Sequence, residues 1–366
     1  MTSSAPTALK KILRPPLGMM RALPVHFAHA RLGGRGPMAL FLPARGPSGA
    51  SLLRSYAMAE GLRAKGWRTL VLPWKLTLAQ RSRFIARALP DVLVMQSARH
   101  ELNDPALYPG VPVIYDMDDA DFHLPHLAEA VTRAMPRVTA VIAGSRYIAD
   151  WAVGAGAPAA HVVWTGTRPT ARRRPVQAVR PPVIAWAQTR PMDYVAEAAI
   201  VRDVMARLAH RHPGLTLRLY DRHPGNDSRF PATFAAPGLA VEWRETCRYE
   251  EYLASFDDVA LGFAPLAPEM PFSRGKSFGK VLAYLDARVP VLASDAGEHG
   301  CFFTSDTGVV TNDNDRMVAA ADRLLADPAA RQRMADSAYG RFVSHLSLAE
   351  AARRTDRILR NSLELT

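Results

Sequence analysis

Two lysines stand out in a chain whose positive charge is otherwise almost all arginine. Lysine occurs at Lys10, Lys11, Lys65, Lys75, Lys276 and Lys280, and the other 40 basic residues are arginine. The codon preference of a GC-rich genome accounts for the general bias. It leaves Lys276 and Lys280 notable, because a compact ammonium and a planar guanidinium are not interchangeable at a crowded phosphate. In MPFSRGKSFGKVLAYLDARVPVLASDAGEHG (270–300), Arg274, Gly275, Lys276 and Ser277 come just after the apolar run DVALGF (258–263). Read as a helix start, they bring backbone N–H groups, a hydroxyl and cations to one point, which is how a diphosphate is held. Lys280 then follows one turn later on the same face. SDAGEH (294–299) adds a loop with Gly297 and Glu298, and QTRPMD (188–193) offers Arg190 as a further phosphate contact.

A second cluster is acidic. After PVIYD (112–116), the stretch DMDDADFHLPH carries Asp116, Asp118, Asp119 and Asp121, with His123 and His126 beyond. Carboxylates so close together can orient hydroxyl groups, accept a proton or hold a divalent cation. The glycine and closing glutamate of a calcium loop are missing, so no metal site is expected. The plain alternative is a solvated loop that caps the next helix. A third loop, PARGPSGAS (43–51), has Gly46, Ser48 and Gly49, which let backbone approach a ligand at a helix N-terminus. Turn geometry alone explains that loop equally well.

These loops need a frame, and the apolar pattern supplies one. Strand-length runs occur at 38–42, 69–73, 91–95, 112–116, 139–144 and 161–164, with helical stretches over Ser51–Lys65, Thr77–Ala88, Pro125–Ala134 and Arg146–Ala155. Wholly apolar short strands between amphipathic helices predict a parallel sheet covered on both faces. The run GTRPTARRRPVQAVRPP (166–182) lacks periodicity and reads as a linker. Alternation resumes with strands at 183–187, 215–220, 239–243, 258–263 and 289–294 and helices over Tyr194–His210, Tyr249–Phe256 and Ser277–Ala287. Helices at Asp315–Leu325, Pro328–Val343 and Leu348–Leu363 close the chain. The expectation is an α/β protein of two Rossmann-like lobes facing a cleft, with ligands at the carboxyl ends of the strands. Its parts are a basic segment 1–36, a first lobe 37–168, a linker 169–182, a second lobe 183–345 and a helix 346–366 that packs back on the first lobe.

Composition fits this frame. The chain has 366 residues, 48% hydrophobic and 22% charged, enough for about two domains and unlike a disordered or fibrous chain. Its two cysteines, Cys247 and Cys301, form no disulfide framework, which makes a reducing compartment the default. A net charge of +12 calls for an anionic partner. Apart from Arg172–Arg174 the arginines are scattered and lack a nucleic-acid-binding module, so nucleic acid is not the expected partner. Residues 8–35 combine Lys10, Lys11, Arg14, Arg21, Arg31 and Arg35 with apolar residues and no acid. They suit the inner leaflet of a membrane, or a tail packed on the first lobe. No apolar run is long enough to span a bilayer, and the expected location is cytoplasmic, peripheral on the membrane.

The segment KSFGKVLAYLDARVPVLASDAG resembles the donor motif KSxxKxLEYxAxGxPVxASxxG of one branch of the GT-B glycosyltransferases, of the "group 1" or family 4 kind. VIYDMDDADF, VIAGSRYIADW and FDDVALGFAPLAP are similar to further stretches of that branch. The resemblance implies a GT-B fold, a nucleoside diphosphate-sugar as co-substrate with no separate cofactor, and transfer with retention to a glycan or lipid-linked acceptor, as in cell-envelope polysaccharide synthesis. It implies that Lys276, Ser277 and Lys280 meet the diphosphate, with Arg190, Arg274, Gly275, Gly297 and Glu298 around the donor. Asp118, Asp119 or His123 would then orient the acceptor hydroxyl or carry its proton, with Gly46, Ser48, Gly49 and Asp116 on the acceptor side. Ala283 replaces the ribose-binding glutamate of the motif, leaving Asp286 or Glu298 as substitutes. Two other readings are a weakly active subunit that binds a glycan or partner, and a nucleotide-sugar epimerase.

Overall fold

The structure, a computed structural model, describes residues 36–221, 230–245 and 247–364. The segment 8–35, read above as a membrane contact, lies outside the described residues. The chain divides into two compact units. The first comprises the described residues through Thr165 and those from Leu348 onward; the second is Gly166–Ser347.

In the first unit, β1 (Met38–Leu42), β2 (Arg68–Val71), β3 (Val92–Gln96), β4 (Val113–Met117), β5 (Ala140–Ala143) and β6 (Ala160–Val162) form one sheet in the order β2-β1-β3-β4-β5-β6. Every pairing is parallel. β1, β3, β4 and β5 are buried along their whole length, as strands covered on both faces must be, and their only polar residues are Gln96 and Asp116. The helix Leu78–Ala88 starts at a reciprocal cap in which Thr77 and Gln80 satisfy each other's backbone N–H groups. The helical stretch expected over Ser51–Lys65 contains a wide turn at Leu52–Ala57 that carries Arg54 and Ser55 into the interior. The final helix, Leu348–Glu364, belongs to this unit: Asp356 accepts a hydrogen bond from the Trp67 indole at 2.7 Å, and Ala352 packs on Gly61, where a side chain would come within 2.8 Å of it.

The second unit holds β7 (Val183–Trp186), β8 (Thr216–Asp221), β9 (Ala240–Glu245), β10 (Leu261–Ala264), β11 (Val291–Ala293) and β12 (Val309–Val310), also all parallel. Their order, β12-β11-β10-β7-β8-β9, is the dinucleotide-fold order read from the other edge. In both sheets the order reverses beside the first strand, between β1 and β3 and between β7 and β10. Those are the points where open α/β sheets bind ligands.

Two expectations are corrected here. The run 166–182 is fastened into the second unit and is no free linker: Arg174, Gln177 and Arg180 are buried, and the Arg180 guanidinium donates to the carbonyls of Val259 and Ala287 at 2.9 Å. The helix expected over Ser277–Ala287 spans only Val281–Asp286. Arg274 ends a short helix Pro271–Arg274, and Lys276 and Ser277 lie in the loop between the two helices. The reason is Phe278, which turns fully inward onto Phe302 (ring centroids 5.0 Å), a turn flanked by Gly275 and Gly279.

Candidate functional site

At the switch point of the second sheet, the loop after β7 and the segment after β10 meet through their side chains. Although Lys276 and Lys280 are not stacked on one helix, they converge on that loop from different directions. Lys280, the N-cap of Val281–Asp286, donates to the Thr189 hydroxyl at 2.8 Å. The Lys276 ammonium lies 3.4 Å from the Tyr194 hydroxyl and 4.4 Å from the Phe272 ring centroid. Ring faces stabilise a cation without neutralising it. Arg190 sits between Thr189 and Tyr194 in a left-handed conformation (φ 57°), with an exposed ion pair to Asp193 at 3.3 Å. Exposed pairs of this kind contribute little, and a non-glycine residue in that conformation marks a loop held by its surroundings.

The rest of the corner is tightly built. Gly297 has φ 58°, and a side chain on it would lie 2.7 Å from the Lys276 carbonyl oxygen, so the 294–299 loop rests directly on the lysine's backbone. Ser277 places a buried hydroxyl there that has no hydrogen-bond partner among the described residues. Gly275 is buried and Arg274 exposed. Glu298 is buried at the N-cap of His299–Phe302. Beside it, the buried His299 imidazole donates from Nδ1 to the Ser294 carbonyl at 3.2 Å, and burial pushes its pKa down to about 4. Two groups that the sequence did not single out hold the walls. Buried Glu197 accepts from the Ala267 N–H at 3.2 Å and the Ser273 hydroxyl at 2.5 Å, clamping the segment after β10. Tyr284 lies against Gly262, where any side chain would collide with its ring, and its hydroxyl joins β7 to β10. That oxygen accepts from the Ala187 N–H at 2.7 Å and faces the carbonyls of Ala185 and Phe263 at 2.8 and 3.0 Å.

Asp286 does not replace the missing glutamate at Ala283. It is buried, and accepts from the Thr170 N–H and hydroxyl and from Arg174. Its charge is consumed in anchoring the 166–182 run.

The acidic loop of the first unit is compensated from within. Asp116 lies inside β4 in a buried fork with Arg54, whose Nε is 3.0 Å from one carboxylate oxygen and 3.2 Å from the other. Burial opposes the Arg54 charge, but the carboxylates of Asp116 and Asp118 outweigh it and raise its pKa. Asp116 is therefore part of the frame, which corrects its reading as an acceptor contact: a buried carboxylate already paired with a guanidinium cannot meet a ligand. Asp121 is buried between the Ser97 hydroxyl and Arg99, which also holds Asp119 at 2.7 Å. Asp118 accepts from the Thr165 hydroxyl and keeps part of its side chain exposed. Gly144 makes this possible, since a side chain there would come within 3.0 Å of the Asp118 carboxylate. His123 is exposed, with Nε2 2.7 Å from the Tyr147 hydroxyl and its ring near Phe122, which stacks on Trp151 at 3.9 Å.

The loop after β1 adds polar backbone. Gly46 lies under the Trp74 indole, 3.2 Å from where its side chain would stand, and its carbonyl accepts from the Ser48 N–H at 2.7 Å. Ser48 is the N-cap of the following helix without closing it by its side chain, and Gly49 has φ 53° with open space around it. Gln96 fixes this loop by accepting from the Ala44 N–H and the Ser51 hydroxyl. Among the described residues no group of His, Cys, Asp and Glu is arranged to hold a metal ion.

No protein-family model and no curated protein matches the chain. Solved structures do. A sucrose-phosphate synthase from Thermosynechococcus elongatus superposes with a TM-score of 0.70 at 14% identity, covering 91% of this chain and all of that one. HepE from Anabaena, in complex with UDP and glucose, gives 0.67 at 16% identity over 89% of this chain and 100% of its own. A glycosyltransferase from Rickettsia africae gives 0.66 at 12% identity, with 91% and 100% covered. The fold is GT-B. Within the GT-B fold, the lysine corner occupies the switch point of the second sheet, and the acidic loop follows β4 of the first.

Proposed function

We propose that this protein is a glycosyltransferase, moving a sugar from a nucleoside diphosphate-sugar to a hydroxyl of a glycan or lipid-linked acceptor. The observation that carries the reading is the convergence of Lys276 and Lys280 on the loop of Arg190, at the switch point of the second sheet. The difficult event in such a transfer is departure of the diphosphate while positive charge grows on the anomeric carbon. Cations fixed beforehand where the leaving group gains charge are the largest contribution a protein can make. Lys276, Lys280 and Arg190 take that part, with Arg274 at the rim. The orphaned Ser277 hydroxyl, beside buried Gly275 and the tight backbone at Gly297, suits a phosphate oxygen. Glu298 lines the donor side from within.

Transfer proceeds with retention in this reading, the departing phosphate taking the proton of the acceptor hydroxyl. Asp118, Asp119 and His123 orient that hydroxyl, His123 being the alternative proton carrier. The exposed loop of Gly46, Ser48 and Gly49 receives the acceptor. The setting is the synthesis of cell-envelope glycans in a bacterium, at the cytoplasmic face of the membrane, with residues 8–35 touching the lipid. HepE holds UDP and UDP-glucose in its structures, which makes these the first probes.

Calorimetry with UDP and other nucleoside diphosphates tests the reading. One of them should bind, Lys276→Ala should weaken that binding at least tenfold, and turnover should fall by about 10²–10³ with stability preserved. Equal nucleotide binding by Lys276→Ala and wild type would remove the site.

A further inference from the structure

The run Thr170–Arg174 borders a cavity of about 400 Å³ in the second unit, a size typical of small-molecule sites. Its wall carries Arg172, Arg173, Arg174 and Arg288 against Asp286 and Asp336. Asp257, behind that wall, pairs with Arg172 and Arg174 at 2.6 Å each. Even with Asp257 counted, the guanidinium groups outnumber the carboxylates. The excess sits on Arg173, which is exposed and makes no ion pair among the described residues.

Two further features distinguish this wall from an ordinary charged surface. Arg174 is more than nine-tenths buried and holds Asp257, Asp286 and Thr170, yet its Nε–H has no acceptor among the described residues. Arg288 stands at φ 54°, a left-handed conformation that is strained for a non-glycine residue. Its guanidinium carbon lies over the Tyr339 ring, 4.0 Å from the centroid, and one nitrogen meets Asp336 at 2.6 Å. The ring and the carboxylate thus fix a cation at the cavity on a backbone position that glycine would occupy without strain.

We infer that this cavity binds a small molecule bearing a phosphate group, at a site separate from the lysine corner. Guanidinium forks match phosphate oxygens two at a time, and a phosphate monoester carries about −1.5 to −2 charges at neutral pH, enough to answer the excess on Arg173. None of the wall residues belongs to the strand-end corner. Asp286 ends the helix that Lys280 opens, which sets the two sites about 9 Å apart along its axis.

The test uses the full-length Lys276→Ala/Lys280→Ala protein, so that the strand-end cations cannot contribute. It is titrated with inorganic phosphate and, at matched ionic strength, with acetate, followed by calorimetry. Phosphate should bind saturably and acetate should not. Adding Arg173→Ala, which removes an exposed side chain the fold does not use, should weaken phosphate at least tenfold. Arg288→Gly, which relaxes the backbone while deleting the guanidinium, should do the same. Absence of saturable phosphate binding, an equal response to acetate, or unchanged affinity in Arg173→Ala would each overturn the inference. The glycosyltransferase reading stands or falls separately, because its lysines are missing from every arm.

Discussion

The acidic loop of the first unit and the basic corner of the second both lie at the carboxyl ends of parallel strands, the corner at the reversal of strand order and the acidic loop one strand beyond it. They differ in the groups that hold their charges. In the acidic loop, carboxylates are locked by arginines: Asp116 by buried Arg54, and Asp119 and Asp121 by Arg99. In the basic corner, two ammonium groups on long stems reach neutral groups, a phenol, a hydroxyl and ring faces. Charge answered within the fold is architecture. Two ammonium groups brought to one strand-end loop are a place where an anion can be met.

The sharpest way to break this contrast is to remove Arg54. Arg54→Met leaves the Asp116 carboxyl buried without its fork, and should cost about 3–5 kcal/mol in urea denaturation. Adding Asp116→Leu should recover most of that loss. A cost below about 1 kcal/mol would mean that the acidic loop is not held by its internal pairs. The contrast requires Lys276→Ala to behave in the opposite way, losing turnover while unfolding stays within about 0.5 kcal/mol of wild type.

Smaller effects refine the picture of the corner's walls. Tyr284→Phe orphans the Ala187 N–H and should cost about 1–3 kcal/mol. The same variant should lower nucleotide affinity, because the loop after β7 loses its tie to β10; unchanged affinity would show that the loop is positioned by other contacts. His299 gives the mildest test. Its folded pKa is about 4, below the value of about 6.5 that an unfolded histidine takes, so the unfolded chain binds the extra proton first. This group therefore takes nothing from stability above pH 6.5, and its penalty grows as pH falls toward 4, by at most about 1.4 kcal/mol per pH unit. Urea titrations of wild type and His299→Gln at pH 7.5, 6 and 5 should diverge with that slope. Parallel curves would show that His299 is not held neutral.

Much of the frame was legible because β1 and β5 are apolar at every position and β3 and β4 at all but one, a pattern few surface elements share. β1 lies where it was expected and other strand ends shifted by up to three residues, and Val309–Val310 was missed because two residues carry no periodicity. The lysine corner was legible in its residue types and not in its geometry. A helical reading of 277–287 fits the apolar spacing, but the pattern cannot show that Phe278 turns inward and delays the helix to Val281. Arg54 left no signal, being one arginine among 40 with its partner 62 residues away. Asp116 was misread for the same reason: a carboxylate at a strand end looks ligand-facing until the distant guanidinium beneath it is seen.

The placement of Leu348–Glu364 in the first unit has a consequence for how the protein is made. The chain leaves that unit after Thr165 and re-enters it at Leu348, and the two crossings run side by side, with the Thr167 N–H bonded to the Leu346 carbonyl at 3.1 Å. Domains fold as units while the ribosome is still at work, so Gly166–Ser347, whose ends meet, can mature as soon as it emerges. The portion translated first must wait, with Trp67 and Gly61 uncovered, until the last helix is synthesised. Order of synthesis and order of completion are thus reversed.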